Sequence, residues 1–339
     1  MAVEVGVVGA GIIGLTTALR ILETLSHVRV SVVAESFTPH TTADVAAGLF
    51  GPYLIDGLTD EKLRDWCVES YNFYLQLIRT QPGEQIGLAL TPAYEYSDTY
   101  TPRPLYADAY MDYRDLTPEE LAATPGNYQY GSYAVAITFV GKKLLPYLME
   151  RFLRAGGRFV TKKLTSLDEL ADDYDVVVNC PGVGAASLVP DPDVTPAQGQ
   201  TMRVRAPWIK NAIIAGTYEI CPTVDYVVLG GSLVFGETSL VPDSEVAKDI
   251  WKNCLQLVPS LKDAEILTNH VGLRPYRSPL RLEIENRVIN VTGKTLPIVH
   301  HYGHGGSGIT VSWGAAGDAV KLLQDVIQSR NWAIRTSKL

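Results

Sequence analysis

Cysteine is scarce in this chain: Cys67, Cys180, Cys221 and Cys254 are the only four among 339 residues, and no two form a CxxC pair. They read as reduced, packed thiols, with no metal or catalytic role expected of them. Basic residues are also outnumbered, 29 Lys and Arg against 37 Asp and Glu, for a formal charge of −8. That balance argues against a nucleic-acid partner, because phosphate binding needs clustered cations. No apolar run approaches the roughly 18 residues of a membrane-spanning helix, so no membrane partner is expected. No basic leader precedes the glycines of residues 1–14, and no secretory signal is expected. Neither a Ser/His/Asp arrangement nor a pair of catalytic carboxylates stands out. His300, His301 and His304 lack a carboxylate or cysteine partner in the sequence and are expected in the core or behind the site, with no metal.

What is present suits a globular protein: 46% hydrophobic and 19% charged residues, enough for one large domain or two intertwined ones. "VEVGVVGA" reads as a buried parallel strand, "GIIGLTTALRILETL" as a helix and "HVRVSVVA" as a second strand. Together they make a βαβ unit. Between its first strand and helix, Gly9-Ala10-Gly11-Ile12-Ile13-Gly14 fits GxGxxG. The first glycine serves the turn, the second close approach to a pyrophosphate, and the third the packing of helix on strand. Glu35 follows Gly14 by 21 residues at the second strand's end, where a carboxylate accepts ribose hydroxyls. A dinucleotide is expected, and this motif alone does not separate FAD from NAD. In "FTPHTTADVAAGLFGPY", Thr41, Thr42 and Asp44 offer polar groups, while Ala46, Ala47 and Gly48 would let a flat ring lie against the backbone.

Further along, residues 53–139 are rich in Tyr and Pro and read as an inserted region with long loops. "KKLLPYLMERFLRAGG" is a helix stopped by glycines, and "DVVVNC" is a buried strand before another glycine turn. Alternating candidates within 195–276 suggest an antiparallel sheet. The C-terminal part returns to strand, glycine turn and long helix. The fold class is therefore α/β, with a discontinuous Rossmann-like domain from 1–52, 140–190 and 277–339. An interleaved antiparallel α+β substrate domain would come from 53–139 and 191–276. The last residues, Ser337-Lys338-Leu339, match the tripeptide read by the peroxisomal import receptor, which makes that receptor an expected partner and the peroxisome the expected location. Oligomeric state stays open, a homodimer being one option.

The strings "VGVVGAGIIGL", "FTPHTTADVAAGLFGPYL", "DVVVNCPGVGA", "VGLRPYRSPLRLE" and "HHYGHGGSGITVSWG" occur in order along nearly the whole chain. Together they resemble the D-amino-acid oxidase and D-aspartate oxidase family of flavoenzymes. The resemblance implies FAD and oxidative deamination of D-amino acids by hydride transfer to flavin N5. The products would be 2-oxo acids, ammonia and hydrogen peroxide. It places Gly9 to Gly14 at the pyrophosphate and Glu35, with Ser36, at the adenosine ribose. Thr41, Thr42, Asp44, Ala47, Gly48 and Leu49 would line the flavin side, and Leu164 and Gly182 other parts of the cofactor. The family often has Thr before that last glycine; here it is Pro181. The loop Gly305-Gly306-Ser307-Gly308-Ile309-Thr310 would face the flavin pyrimidine edge, with Gly306 and Ser307 also near substrate.

Arg274 would bind the substrate α-carboxylate through two parallel N–H donors and border the cofactor. Tyr218 would add a hydroxyl, with Glu219 and Tyr226 as alternative occupants of that place, and Tyr53 would line the pocket. From Asn211 through Ala247 there is no Lys or Arg, and a second buried substrate carboxylate without a partner is costly. Neutral D-amino acids are therefore expected over D-aspartate or D-glutamate, although "VGLRPYR" and "VHHYGHG" look closer to the D-aspartate branch. Arg277 and Arg281 are the residues that would reverse this. A glycine or sarcosine oxidase, a dinucleotide-sensing regulator and a nicotinamide dehydrogenase are the competing readings.

Overall fold

The valine-rich run Val3–Val8 forms β1 and pairs in parallel with β2, Val28–Ala34, around the helix Ile12–Thr24. The chain continues through β3 (Leu88–Ser97), β4 (Met111–Asp115), β5 (Tyr130–Phe139), β6 (Arg158–Thr161) and β7 (Val176–Asn179). There follow β8 (Thr195–Arg205), β9 (Ala212–Ala215), β10 (Tyr218–Pro222) and β11 (Val227–Gly230). Last come β12 (Val234–Phe235), β13 (Glu265–Val288) and β14 (Thr295–His304). This computed structural model describes residues 2–124, 126–289 and 293–330; the terminal Ser337-Lys338-Leu339 lies outside them.

All these strands join one sheet, in the order β4-β5-β3-β9-β10-β11-β8-β13-β14-β7-β1-β2-β6, with β12 on β8. Its last five strands are parallel, and β6-β2-β1-β7-β14 is the 3-2-1-4-5 order of a dinucleotide-binding half. The other half is antiparallel except where β3 runs parallel to β9. β13 crosses between the halves without a break, so the division expected after residue 276 falls inside a single 24-residue strand.

The expectation of long loops over 53–139 is corrected. Asp60–Thr80 is a 21-residue helix, N-capped by the Thr59 hydroxyl and buried along Trp66, Tyr71 and Tyr74. β3 and β5 pair along ten residues each. Aromatic residues and polar neighbours obscured both elements: "AYEYS" alternates as a strand does, with Tyr on the pleated surface that favours it.

The helix Ile12–Thr24 packs against the C-terminal helix Gly308–Ser329. A Cβ on Gly308 would meet Ile12 at 3.6 Å, so the two helix N-termini sit side by side. Neither Gly11 nor Ser307, their N-caps, bonds the first-turn amides with a side chain. Two sets of unsatisfied N–H groups thus meet at the carboxyl ends of the parallel strands.

Candidate functional site

A cavity of about 900 Å³ opens there and runs from the parallel half to the antiparallel half. Its first wall is the turn after β1. Gly9 has φ +100°, and a Cβ on it would stand 2.3 Å from the Cys180 carbonyl. A Cβ on Gly14 would come within 1.9 Å of the Gly9 carbonyl, whereas one on Gly11 would meet nothing within 4 Å. Two of the three glycines close the fold; the remaining one faces open space. Ala10, Ile12, Ile13, Glu35, Ser36, Leu164 and Gly182 line the same end. Glu35 and Lys163 meet there at 2.7 Å, both exposed.

Thr41, Thr42, Ala47, Gly48 and Leu49 also line the cavity. Asp44 does not, which corrects its expected contact with the cofactor. Its buried carboxylate accepts from the Thr38 hydroxyl at 2.6 Å, the Thr41 hydroxyl at 2.8 Å and the Thr41 N–H at 2.9 Å. Those bonds form a capping turn that shapes the segment from behind. Gly305, Gly306, Gly308, Ile309 and Thr310 reach the cavity, and the Ser307 side chain does not. Its hydroxyl accepts from Tyr53 N–H at 2.7 Å and donates to the Tyr53 carbonyl at 2.9 Å. Ser307 is therefore a clamp on Tyr53, not a group facing substrate. One turn on, Thr310 holds Gly51 in the same two-way manner, at 3.1 and 3.0 Å.

At the far end Arg274 projects from β13 across Gly199 of β8, where a Cβ would collide with its guanidinium at 2.1 Å. The guanidinium carbon lies 5.4 Å from the Tyr53 ring centre, and Nη1 donates to the Ser232 carbonyl at 3.4 Å. Among the described residues no carboxylate lies within ion-pair distance of it. The rest of its fork faces the cavity. Tyr218 touches the cavity rim, but its hydroxyl donates to Asp249 at 2.8 Å. The role expected for that hydroxyl is corrected accordingly. Adjacent strand residues point to opposite faces, so it is Glu219 that turns its carboxylate inward. Burial pushes the Glu219 carboxyl above its ordinary value, and the field of Arg274 partly opposes this.

Arg277 is held by Asp191 at 2.8 Å and Asp193 at 3.2 Å; Arg281 by Glu283 at 2.6 Å and the Tyr302 hydroxyl at 3.0 Å. Neither lines the cavity. His300 bonds Glu285 at 2.8 Å, His301 sits 3.2 Å from the Thr17 hydroxyl, and burial lowers the pKa of both. No metal-holding group of side chains occurs among the described residues. Sequence reading missed Glu95, Tyr106 and Tyr110 on the cavity wall. Strand register, which places Glu95 of β3 beside Ile214 of β9, is the only signal that finds the first of them.

Residues 4–322 match the family model described as FAD dependent oxidoreductase. The chain belongs to that family. The enzyme is 38% identical over 329 residues to a D-amino acid oxidase of Dugesia ryukyuensis, covering 96% of this chain and 98% of the relative. It is 35% identical over 341 residues to a human D-aspartate oxidase, covering 99% of each. Its fold is similar to that of glycine oxidase from Geobacillus kaustophilus, with TM-score 0.76, 19% identity and coverage of 96% and 95%. FAD is its cofactor, and the residues present fit it. Gly11 leaves room for a pyrophosphate beneath the first helix, and the uncapped amides of the second helix meet the same cavity.

Proposed function

We propose that this flavoenzyme oxidatively deaminates D-amino acids, neutral ones in preference to D-aspartate or D-glutamate. The observation that carries the proposal is Arg274: a guanidinium with no carboxylate partner among the described residues, facing the cavity beside Tyr53 and the Gly305–Gly306 turn. An arginine so placed offers a planar two-donor fork to an α-carboxylate, which fixes both position and rotation. When bound, FAD supplies the two-electron chemistry, taking the Cα hydrogen and passing the electrons to O2 to give hydrogen peroxide.

The chain's own residues orient and exclude. Arg274 would hold the carboxylate, and Tyr53 would cover it with an aromatic face. Gly306 would allow the Cα–H to come close: a Cβ there would stand 2.6 Å from the Tyr53 ring and 3.4 Å from Arg274 Cδ. The first-turn amides after Ser307 would stabilise negative charge developing on the cofactor at this end. Glu35, Ser36 and Leu164 would hold the adenosine part, and Thr41, Thr42, Ala47, Gly48 and Leu49 the ring side. The D configuration is supported by the names of the relatives in Dugesia ryukyuensis and human. The neutral preference is supported by Arg277 and Arg281, whose carboxylate partners leave them outside the cavity.

Purified enzyme mixed anaerobically with D-alanine should lose its flavin colour. Arg274→Leu should bind FAD yet lose at least about 100-fold in kcat/KM, since a charge-assisted bidentate contact is removed. Unchanged saturation and turnover in that variant would end the proposal. A clear preference for D-aspartate over D-alanine would instead favour the acidic-substrate reading, as the 35% identity to the human D-aspartate oxidase allows. For location we propose the peroxisome, supported by Ser337-Lys338-Leu339 at the C-terminus. A fluorescent N-terminal fusion should be punctate with peroxisomal markers, and diffuse once those three residues are removed.

A further inference from the structure

One row of side chains crosses the antiparallel half at the substrate end of the cavity. Ser132 of β5, Glu95 of β3, Ile214 of β9 and Glu219 of β10 stand opposite one another in register. Residues in register share a face, and all four line the cavity. Neighbouring strands lie about 4.8 Å apart, so the Glu95 and Glu219 backbones are roughly 10 Å apart, with Ile214 between them. The row continues to Gly230 of β11, where a Cβ would strike the Glu219 Oε1 atom at 2.6 Å. That missing side chain lets the Glu219 carboxylate lie toward the strands that carry Arg274. Neither glutamate is in an ion pair or a side-chain hydrogen bond with another described residue. Arg274 is the only arginine among the described residues lining the cavity, and its two lysines, Lys162 and Lys163, belong to the opposite end with Glu169 and Glu35.

A cavity wall with one fixed cation and two unpartnered carboxylates is not neutral in what it prefers. A substrate whose α-carboxylate answers Arg274 leaves Glu219 and Glu95 unmatched; a neutral side chain buries them further without compensation, and a second carboxylate adds repulsion. We infer that Glu219, with Glu95 behind it, selects D-amino acids whose side chains carry a cation, such as D-lysine and D-arginine. Extended, such side chains span the one-strand to two-strand distances of this wall, which Tyr106 and Tyr110 also line. This inference rests on the reading that Arg274 anchors a D-amino acid.

The test compares D-lysine with D-norleucine, which has the same chain without the ammonium, in the holoenzyme and in its Glu219→Gln and Glu95→Gln/Glu219→Gln variants. In the unaltered enzyme kcat/KM for D-lysine should exceed that for D-norleucine by about tenfold or more, the range of a charge-assisted contact. In the double variant the ratio should fall to near one. Reading the ratio within each variant cancels any general loss from refolding or weaker FAD binding. Calorimetric binding of 6-aminohexanoate against hexanoate, neither an α-amino acid, should show the same preference and the same loss without turnover. A ratio near one in the unaltered enzyme, or a ratio unmoved by the double variant, would overturn the inference. So would an equal fall for both substrates in a Glu219→Gln enzyme of unchanged FAD content and urea midpoint, which would put its carboxylate at the shared α-amine. If neither D-lysine nor D-norleucine is oxidised, the D-amino-acid reading fails first, and the calorimetric comparison still decides whether the wall prefers a cation.

Discussion

Ser307 and Tyr53 hold each other by two hydrogen bonds, at 2.7 and 2.9 Å, across 254 residues of sequence. The buried hydroxyl thereby fixes the backbone from which the Tyr53 ring reaches over Arg274. Ser307→Ala leaves a backbone N–H without its partner, which costs about 1–3 kcal/mol. Urea denaturation of the holoenzyme should show that loss. KM for D-alanine should rise more than kcat falls, because the defect is in positioning. Ser307→Thr, which keeps the hydroxyl, should restore much of both.

The glycines of the first turn should not respond alike to alanine. Gly14→Ala drives a methyl to within 1.9 Å of the Gly9 carbonyl, and Gly9→Ala meets the Cys180 carbonyl at 2.3 Å in a backbone of φ +100°. Both should fold poorly or purify without flavin. Gly11→Ala meets no protein atom within 4 Å, so the apoprotein should keep its denaturation midpoint while FAD affinity falls. Equal loss of apoprotein stability in all three would contradict this division.

Asp44 should matter for FAD without touching it. Asp44→Ala removes the acceptor of three hydrogen bonds from Thr38 and Thr41. Bonds to a charged group are worth about 1.5–3 kcal/mol apiece at most, and the loop from Thr41 to Leu49 should loosen. FAD titration of the apoprotein, followed by flavin fluorescence, should give a weaker dissociation constant. Asp44→Asn, which keeps one acceptor oxygen, should lie between.

Acid should destabilise the fold through its buried histidines. Burial pushes His304 down to about 4 from an ordinary 6.5, and holds His301 well below its ordinary value too. Between those values the unfolded chain binds a proton at His304 that the native state refuses, so stability rises with pH across this window and is lost as pH falls from about 6.5 towards 4. The slope contributed by one such histidine is at most about 1.4 kcal/mol per pH unit. Urea midpoints measured from pH 7 to pH 5 should fall, and less steeply in His304→Gln.

Legibility varied with the range of the interactions involved. The β1 turn was plain because GxGxxG encodes a local backbone requirement: Gly9 and Gly14 each exclude a side chain by contacts near the turn. Arg274 was visible as a guanidinium within a distinctive string. Asp44 and Ser307 looked like ligands because a carboxylate and a hydroxyl beside a glycine-rich segment read alike whether they face a cavity or a neighbouring backbone. Tyr218 and Glu219 differ by one residue, and in a strand that decides the face.

By itself the sequence determined the βαβ unit, the glycine turn, the family strings and the cation at position 274, since these rest on neighbouring residues and side-chain chemistry. Only the tertiary structure decided which polar groups are free. Glu95 and Glu219 are 124 residues apart in the chain, yet pairing through Ile214 brings them to one wall. Arg277 and Arg281, close to Arg274 in sequence, are drawn away by Asp191, Asp193, Glu283 and Tyr302. A charge acts on a ligand only if folding leaves it without a nearer partner, and that competition is settled across the sheet, not along the chain.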